Sequence, residues 1–392
     1  MQAMKHFGLW PMIMMMTLSV GIVNHVIIVP LLLDSAKRDA WLSVLVSVPV
    51  AMLWAVFPLQ GIVRSIRERS FNDWLNARVP GVTKWVLILI IFLMLAFTCF
   101  HSLVDVVGFS NSTYVPLTPA YVVTFLFLAL CAYGALAGLR TIAFVSCILL
   151  PLVVFLGDFV MSANIRHKDY HFMLPIAEHG FGSILDGGLY AFSALLELYM
   201  LVLIQPHLKG RMNRWGLVLM LAFLALLALG PVTGAIAEFG PFESAKLKYP
   251  AFSQWRLVTI GHYIEHLDFL AIYQWMAGSF VRISLTLYLA SELMFRTDKS
   301  RNYGIIGLSI LIGIAAYLTV ERQLFYRNML QSYFHYSGIV VLLLTLILWV
   351  IAVAGGANGK EAEGGGKQHD QHGRIGNEDK HSELQSESAG LE

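Results

Sequence analysis

Apolar residues fill this chain in ten long runs, separated by short polar stretches that hold most of its charge. A helix needs roughly 20 apolar residues to cross the hydrocarbon of a bilayer. The pattern predicts spans at Leu9–Leu33, Ala40–Val63, Lys84–Gly108, Tyr114–Gly138 and Thr141–Ser162. Five more are predicted at Gly187–His207, Trp215–Ala237, Asp268–Phe295, Tyr303–Val320 and Tyr333–Ala354. The first run is broken near its middle by the polar pair Asn24-His25, just after Gly21. Inside hydrocarbon a broken helix leaves amides and carbonyls that protein or a water-filled cavity must satisfy. Such a break marks a candidate binding site.

Composition supports this reading. The 392 residues are 57% hydrophobic and 13% charged, with mean hydropathy +0.67. Soluble domains carry about 25% charged residues. The expectation is an all-α integral membrane protein. The net charge of +2 gives no reason to expect nucleic acid as a partner. Cys99, Cys131 and Cys147 all lie in apolar runs and form no CxxC, so they read as small packing residues. Neither metal nor cofactor is implied.

Orientation follows the Lys/Arg bias. With the N-terminus inside, thirteen basic residues fall on the internal side and nine on the external side. Both termini are therefore expected in the cytoplasm. Residues 1–354 read as one transmembrane domain. The stretch Phe242–His266 is too polar to span. Its Leu257, Ile260, Gly261 and Ile264 recur at helical spacing, so it is expected to form an external helix over the mouth. Residues 355–392 are Gly-rich, with eight acidic residues against four Lys/Arg, and read as a disordered hydrophilic tail. Its His369, His372 and His381 are read as solvated.

Ionisable groups deep in a span default to functional hypotheses. Glu197 lies at the centre of the sixth run, four residues after Ser193, and Arg282 at the centre of the eighth. His25 lies just outside the midplane of the first, and Asp105 towards the outer end of the third. Two readings stand for Glu197 and Arg282. They could receive a ligand's ammonium and carboxylate groups, or form a structural ion pair that neutralises two costly charges. His25 could touch ligand or hydrogen-bond a backbone carbonyl at the break. His101, one turn before Asp105, is placed to hydrogen-bond it. Asp158 is expected to reach the interface, and Glu292 to meet water or Arg296. At the break itself, around Gly21, Val23, Asn24 and His25, two half-helix ends would offer N–H groups to a carboxylate and carbonyls to an ammonium group. A zwitterionic amino acid matches both. Soluble-enzyme signatures such as GxxxxGK[ST], HExxH, GxSxG and GxGxxG are absent, so no enzyme is expected.

Several short stretches, in order, resemble the spore-germination permease family, the B subunits of endospore germinant receptors. They are Pro30 with Asp39-Ala40-Trp41, Thr118-Pro119, Leu174-Pro175-Ile176 with Gly180, Glu197 with Pro206, Tyr249-Pro250, and Ile264 to Leu270 leading to Trp275 and Tyr288. The resemblance runs from about Phe7 to Ala354. It implies membership of the amino acid–polyamine–organocation superfamily. The implied fold is that of the leucine transporter: ten helices in a five-plus-five inverted repeat, with interrupted helices 1 and 6. In that fold the substrate lies between the first and sixth helices, flanked by the third and eighth, where His25, Glu197, Arg282 and Asp105 fall. The implied partners are an A-type subunit, a lipoprotein C-type subunit and the bilayer of the spore inner membrane or cell membrane. The implied role is sensing a small nutrient, such as an amino acid, to trigger germination. A proton- or ion-coupled amino-acid transporter and a structural subunit with a vestigial pocket are the alternatives. The sequence departs from the resemblance at the first break, where Val23-Asn24-His25 stands for a small Gly-x-Gly.

Overall fold

The computed structural model describes residues 6–66, 69–259 and 266–354. Among them the regular structure is helical, apart from a single bridge pairing Phe7 with Leu208. Eight helical stretches are long and apolar enough to cross a membrane. The first runs from Leu9 to Ile66 and divides into two arms at Lys37, whose φ of 47° is not helical. The first arm holds α1 (Leu9–Ile22) and α2 (Val29–Ala36), joined by a π-helical turn, Val23–Ile27. The second holds α3 (Ala40–Trp54) and α4 (Gln60–Ile66), joined by another π turn, Ala55–Leu59. Pro58 lies inside that second turn and brings no N–H to the helical ladder.

After the short α5 (Phe71–Asn76) come α6 (Gly81–Thr113), α7 (Ala120–Ala137) and α8 (Leu139–Ala163). Gly138, at φ 96°, turns the chain between α7 and α8. Then follow α9 (Gly180–Leu196), the single turn α10 (Leu201–Ile204), α11 (Arg214–Ser244) and α12 (Pro250–Trp255). The last are α13 (Phe269–Met294), α14 (Asp298–Val320) and α15 (Gln323–Ala354). Three helix starts carry side-chain caps. Ser70 accepts from the Asp73 N–H, Asn213 from that of Gly216, and Thr297 forms a capping box with Ser300.

Burial sorts the helices into layers. The most apolar window of Gly180–His207 is 83% buried, whereas that of Leu139–His167 is 28% buried. The α9 stretch is therefore central and α8 peripheral. α13 packs against α1, α6, α7, α8 and α14, and α9 packs against α2 and α3. Large apolar side chains such as Leu53, Leu126, Ile148 and Leu219 point outward. On a soluble protein this belt would be a liability; here it suits a hydrocarbon solvent. The polar side chains are gathered inside. The molecule is an all-α integral membrane protein.

The break in the first helix takes a different form from the one expected. The chain does not unwind at residues 21–25. Ile22 and Ile28, which flank the π turn, both keep right-handed helical angles. The Ile28 N–H bonds to the Val23 carbonyl at 3.0 Å, five residues back. One extra residue is accommodated without opening two half-helix ends. The pair of free termini expected to hold a zwitterion is therefore not formed. The α9 stretch changes type too: it tightens into a 3₁₀ turn over Glu197–Met200, beginning at the carboxylate.

The stretch after α11 also differs from expectation. Phe242 to Ser244 complete α11 beyond the left-handed Gly240, and the short α12 follows. Leu257 lies in the turn after α12. Ile260, Gly261 and Ile264 lie outside the described residues, as does the 355–392 tail.

Candidate functional site

Glu197 and Arg282 meet. Nη1 of Arg282 lies 2.5 Å from one carboxylate oxygen, and Nη2 lies 2.8 Å from the other. This is the bidentate fork that guanidinium and carboxylate planes favour. The Arg282 side chain is fully buried and that of Glu197 is 5% exposed. The guanidinium has further partners. Nε donates to Ser102 Oγ at 2.7 Å, Nη1 to the Ser19 carbonyl at 3.0 Å, and Nη2 to His101 Nε2 at 3.3 Å. Arg282 thus joins α13 to α1, α6 and the 3₁₀ turn after α9. A charge this deep is tolerated because every N–H it carries has an acceptor.

His101 must accept at Nε2, since Arg282 can only donate. Its proton therefore sits on Nδ1, which is buried without a hydrogen-bond partner. Ser19 Oγ and Tyr199 Oη, on residues beside the pair in sequence or contact, are likewise buried and unpartnered. Native cores leave few such groups, and each calls for an explanation. The expected His101–Asp105 bond is not formed: Arg282 takes Nε2, and Nδ1 has no partner. Asp105 instead accepts from Trp275 Nε1 at 2.9 Å. Above it lies an aromatic cap. The Phe109 and Trp275 rings stack with centroids 3.8 Å apart, and Tyr249 and Phe252 each meet Phe109 edge-on at 5.2 Å.

The other predicted residues are placed as follows. Ser193 Oγ donates to the Phe334 carbonyl at 2.5 Å and accepts from the Gly338 N–H at 2.9 Å, so it ties α9 to α15. Asn24 turns its amide back to the Val20 carbonyl at 2.9 Å. Val23 is buried in the core. Gly21 allows close approach of α11, since a Cβ there would lie 3.1 Å from Leu227 Cδ1. His25 Nδ1 donates to the Leu227 carbonyl at 3.0 Å. The imidazole does bond a backbone carbonyl, but on a neighbouring helix. Glu292 meets His207 Nε2 at 3.0 Å and the Tyr288 hydroxyl at 3.3 Å; of its two expected partners, water and Arg296, no ion pair with Arg296 forms, and the side chain stays 30% exposed. Asp158 is exposed in the C-terminal part of α8.

Gly21 and His25 also line a cavity of about 420 Å³ between α1, α8, α11, α12 and α13. Glu197, Arg282 and Asp105 do not line it. Gly278 forms part of its wall one helical turn before Arg282. The predicted residues thus divide between a closed ionic centre and an adjoining apolar cavity. Ser19, His101, Ser102 and Tyr199 were not singled out for the ionic centre from the sequence. Their only signal is that they are polar residues within apolar runs.

The structure is that of a helical integral membrane protein with an ion pair buried among its central helices. The chain belongs to the spore germination protein family, whose model matches residues 4–326. It is 38% identical to spore germination protein XB of Bacillus anthracis, over 85% of this chain and 93% of that one. It is 25% identical to putative spore germination protein YfkT of Bacillus subtilis (strain 168), covering 86% and 92% of the two chains. Spore germination protein KB of the same organism is 22% identical over 81% of this chain and 87% of its own.

Proposed function

We propose that this chain is the membrane subunit of a spore germinant receptor and that it binds a small nutrient, an amino acid, at the Glu197–Arg282 centre. One observation carries the reading: a fully matched buried ion pair is bordered by polar atoms that have no partner of their own. A zwitterion carries the same two charges as the pair. Its carboxylate replaces Glu197 on the Arg282 fork, and its ammonium group takes the released Glu197. The Nδ1–H of His101 and the hydroxyls of Ser19 and Tyr199 supply donors beside the exchanged groups. Such an exchange keeps every buried charge compensated, which a single incoming ion could not do.

Opening the pair loosens the tie between α1, α6, α9 and α13. That supplies the differential affinity through which a ligand shifts a conformational equilibrium. The change passes to partner subunits, an A-type chain and a lipoprotein C-type chain, in the spore inner membrane with both termini cytoplasmic. The membrane domain is read as ten crossings in two inverted halves, with no catalytic role. The test is equilibrium binding of labelled amino acids to the reconstituted receptor complex. Saturable binding lost in Glu197→Gln, with the complex still assembled, supports the proposal. Undiminished binding in that variant removes Glu197 from the site. Gradient-driven uptake into liposomes would reassign the chain as a transporter.

A further inference from the structure

The cavity beside the first helix has its own chemistry, and it differs from that of the ionic centre. Its walls are aliphatic and aromatic, with Leu18, Ile22, Val154, Leu227 and Phe252 among them. Phe223 and Leu226 form part of its rim and are 37% and 63% exposed on the lipid-facing surface. The cavity therefore opens sideways between α8 and α11 into hydrocarbon, beneath α12.

The polar groups reaching it are few and one-sided. Gln274 is spent at both ends, donating to the Val153 carbonyl and accepting from Trp255 Nε1, each at 2.9 Å. Trp275 Nε1 is spent on Asp105. Among the described residues no Lys or Arg lines the cavity. What remains is acceptor-rich. With His25 Nδ1 donating to Leu227, the neutral ring has Nε2 as a bare acceptor. The Asp158 carboxylate makes no ion pair among the described residues. The Thr17 hydroxyl is neutral. A ligand whose only charge is a carboxylate or phosphate would find no cation here among the described residues and would meet Asp158 unfavourably. A ligand that supplies hydrogen-bond donors and positive charge on an aliphatic body matches every wall.

We infer that this lateral cavity is a second binding site, distinct from the Glu197–Arg282 centre, that takes a primary aliphatic amine from the bilayer. The ammonium group sits with Asp158 towards the outer interface, and the chain runs inward along α1 towards Gly21 and His25. A volume of about 420 Å³ falls within the range of small-molecule sites. Because Gly278 of its wall lies one turn from Arg282 on the same helix, occupancy bears on the helix that carries the ion pair.

The test uses the full-length protein in nanodiscs and a photoreactive aliphatic amine of about eight carbons, with labelled peptides mapped by mass spectrometry. Labelling is expected on the α1, α8 and α11 segments bordering the cavity. Octylamine should compete about fivefold better than octanol, the upper ratio expected for one ion pair at an exposed carboxylate, and octanoate should not compete. Asp158→Asn should erase the preference of amine over alcohol while labelling continues. Gly157→Leu and Gly230→Leu should abolish labelling by filling the space. Their Cβ atoms have room, the nearest neighbours lying 3.7 Å and 3.9 Å away. Unchanged unfolding midpoints confirm that these variants fold; where one does not, Asp158→Asn alone decides. Discs with and without phosphatidylethanolamine separate two sources of the amine. Protection by that lipid assigns the site to a headgroup, and unchanged labelling assigns it to a free amine. Equal competition by octanoate, labelling untouched by cavity filling, or an amine preference that survives Asp158→Asn would overturn the proposal.

Discussion

Removing either member of the Glu197–Arg282 pair should harm the protein unequally, and the structure says which way. Arg282 has three partners besides the carboxylate: Ser19, Ser102 and His101. Glu197 has no other hydrogen-bond donor among the described residues. Glu197→Gln leaves the guanidinium with those partners and an amide oxygen, at a cost of about 1–3 kcal/mol. Arg282→Met strands a buried carboxylate with nothing to compensate it, at a cost of about 3–5 kcal/mol. Combining both changes removes both charges, so the double variant should be more stable than Arg282→Met alone. The resulting coupling energy should be about 2 kcal/mol or more in favour of the double variant. The assay is reversible unfolding in mixed detergent micelles, followed by tryptophan fluorescence. A double variant as unstable as the sum of its parts would refute the pairing argument. The double variant should retain no nutrient response, because its neutral core offers nothing for a zwitterion to exchange with.

Further predictions address the neighbouring structure. Ser193→Ala removes both hydrogen bonds that hold α9 to α15 and should cost about 1–3 kcal/mol in the same unfolding assay, with nutrient binding retained; lost binding at unchanged stability would return Ser193 to the ligand site. Gly278→Leu should destabilise by about 1–3 kcal/mol, because a Cβ there would lie 2.9 Å from Ile22 Cβ and force α13 away from α1; a neutral effect would disprove that contact. Burial lowers the pKa of the Lys168 ammonium, while Glu238 at 3.7 Å acts in the opposite direction. The folded chain therefore releases this proton before the unfolded one, so stability should rise with pH in the window just below the ordinary lysine value of about 10.4. Lys168→Met should flatten that rise, and an unchanged slope would clear Lys168 of it.

The spans were largely legible because membrane helices declare themselves by unbroken apolar length. The stretches Leu9–Ala36, Ala40–Ile66, Leu139–Ala163 and Arg214–Ser244 begin within two or three residues of the predicted starts. Arg282 and Glu197 were legible for the complementary reason: charges within apolar runs are costly and need each other. Their other partners were not. Ser19 contributes a carbonyl, and sequence does not show which carbonyl a folded helix will present. His101 could bond one turn along its own helix or across to another, and only packing decides. The helical type at Val23–Ile27 was equally hidden. A polar pair in an apolar helix signals irregularity without saying whether the chain opens or merely widens by one residue.

That widened turn gives the first helix an adjustable length. A π turn holds one residue more than the α-helix needs, and that slack can shift along the helix while each N–H trades one carbonyl for the next. Passing the slack towards Leu9 would rotate the intervening segment by about 100° and slide it about 1.5 Å. The Ser19 carbonyl would then leave Arg282 with no loop unravelled. Deleting one residue from Val23–Ile27 should fix that rotated register permanently. Cysteine accessibility along α1 would report it as an exchange of protected and reactive faces, and an unaltered pattern would mean the helix is rigid.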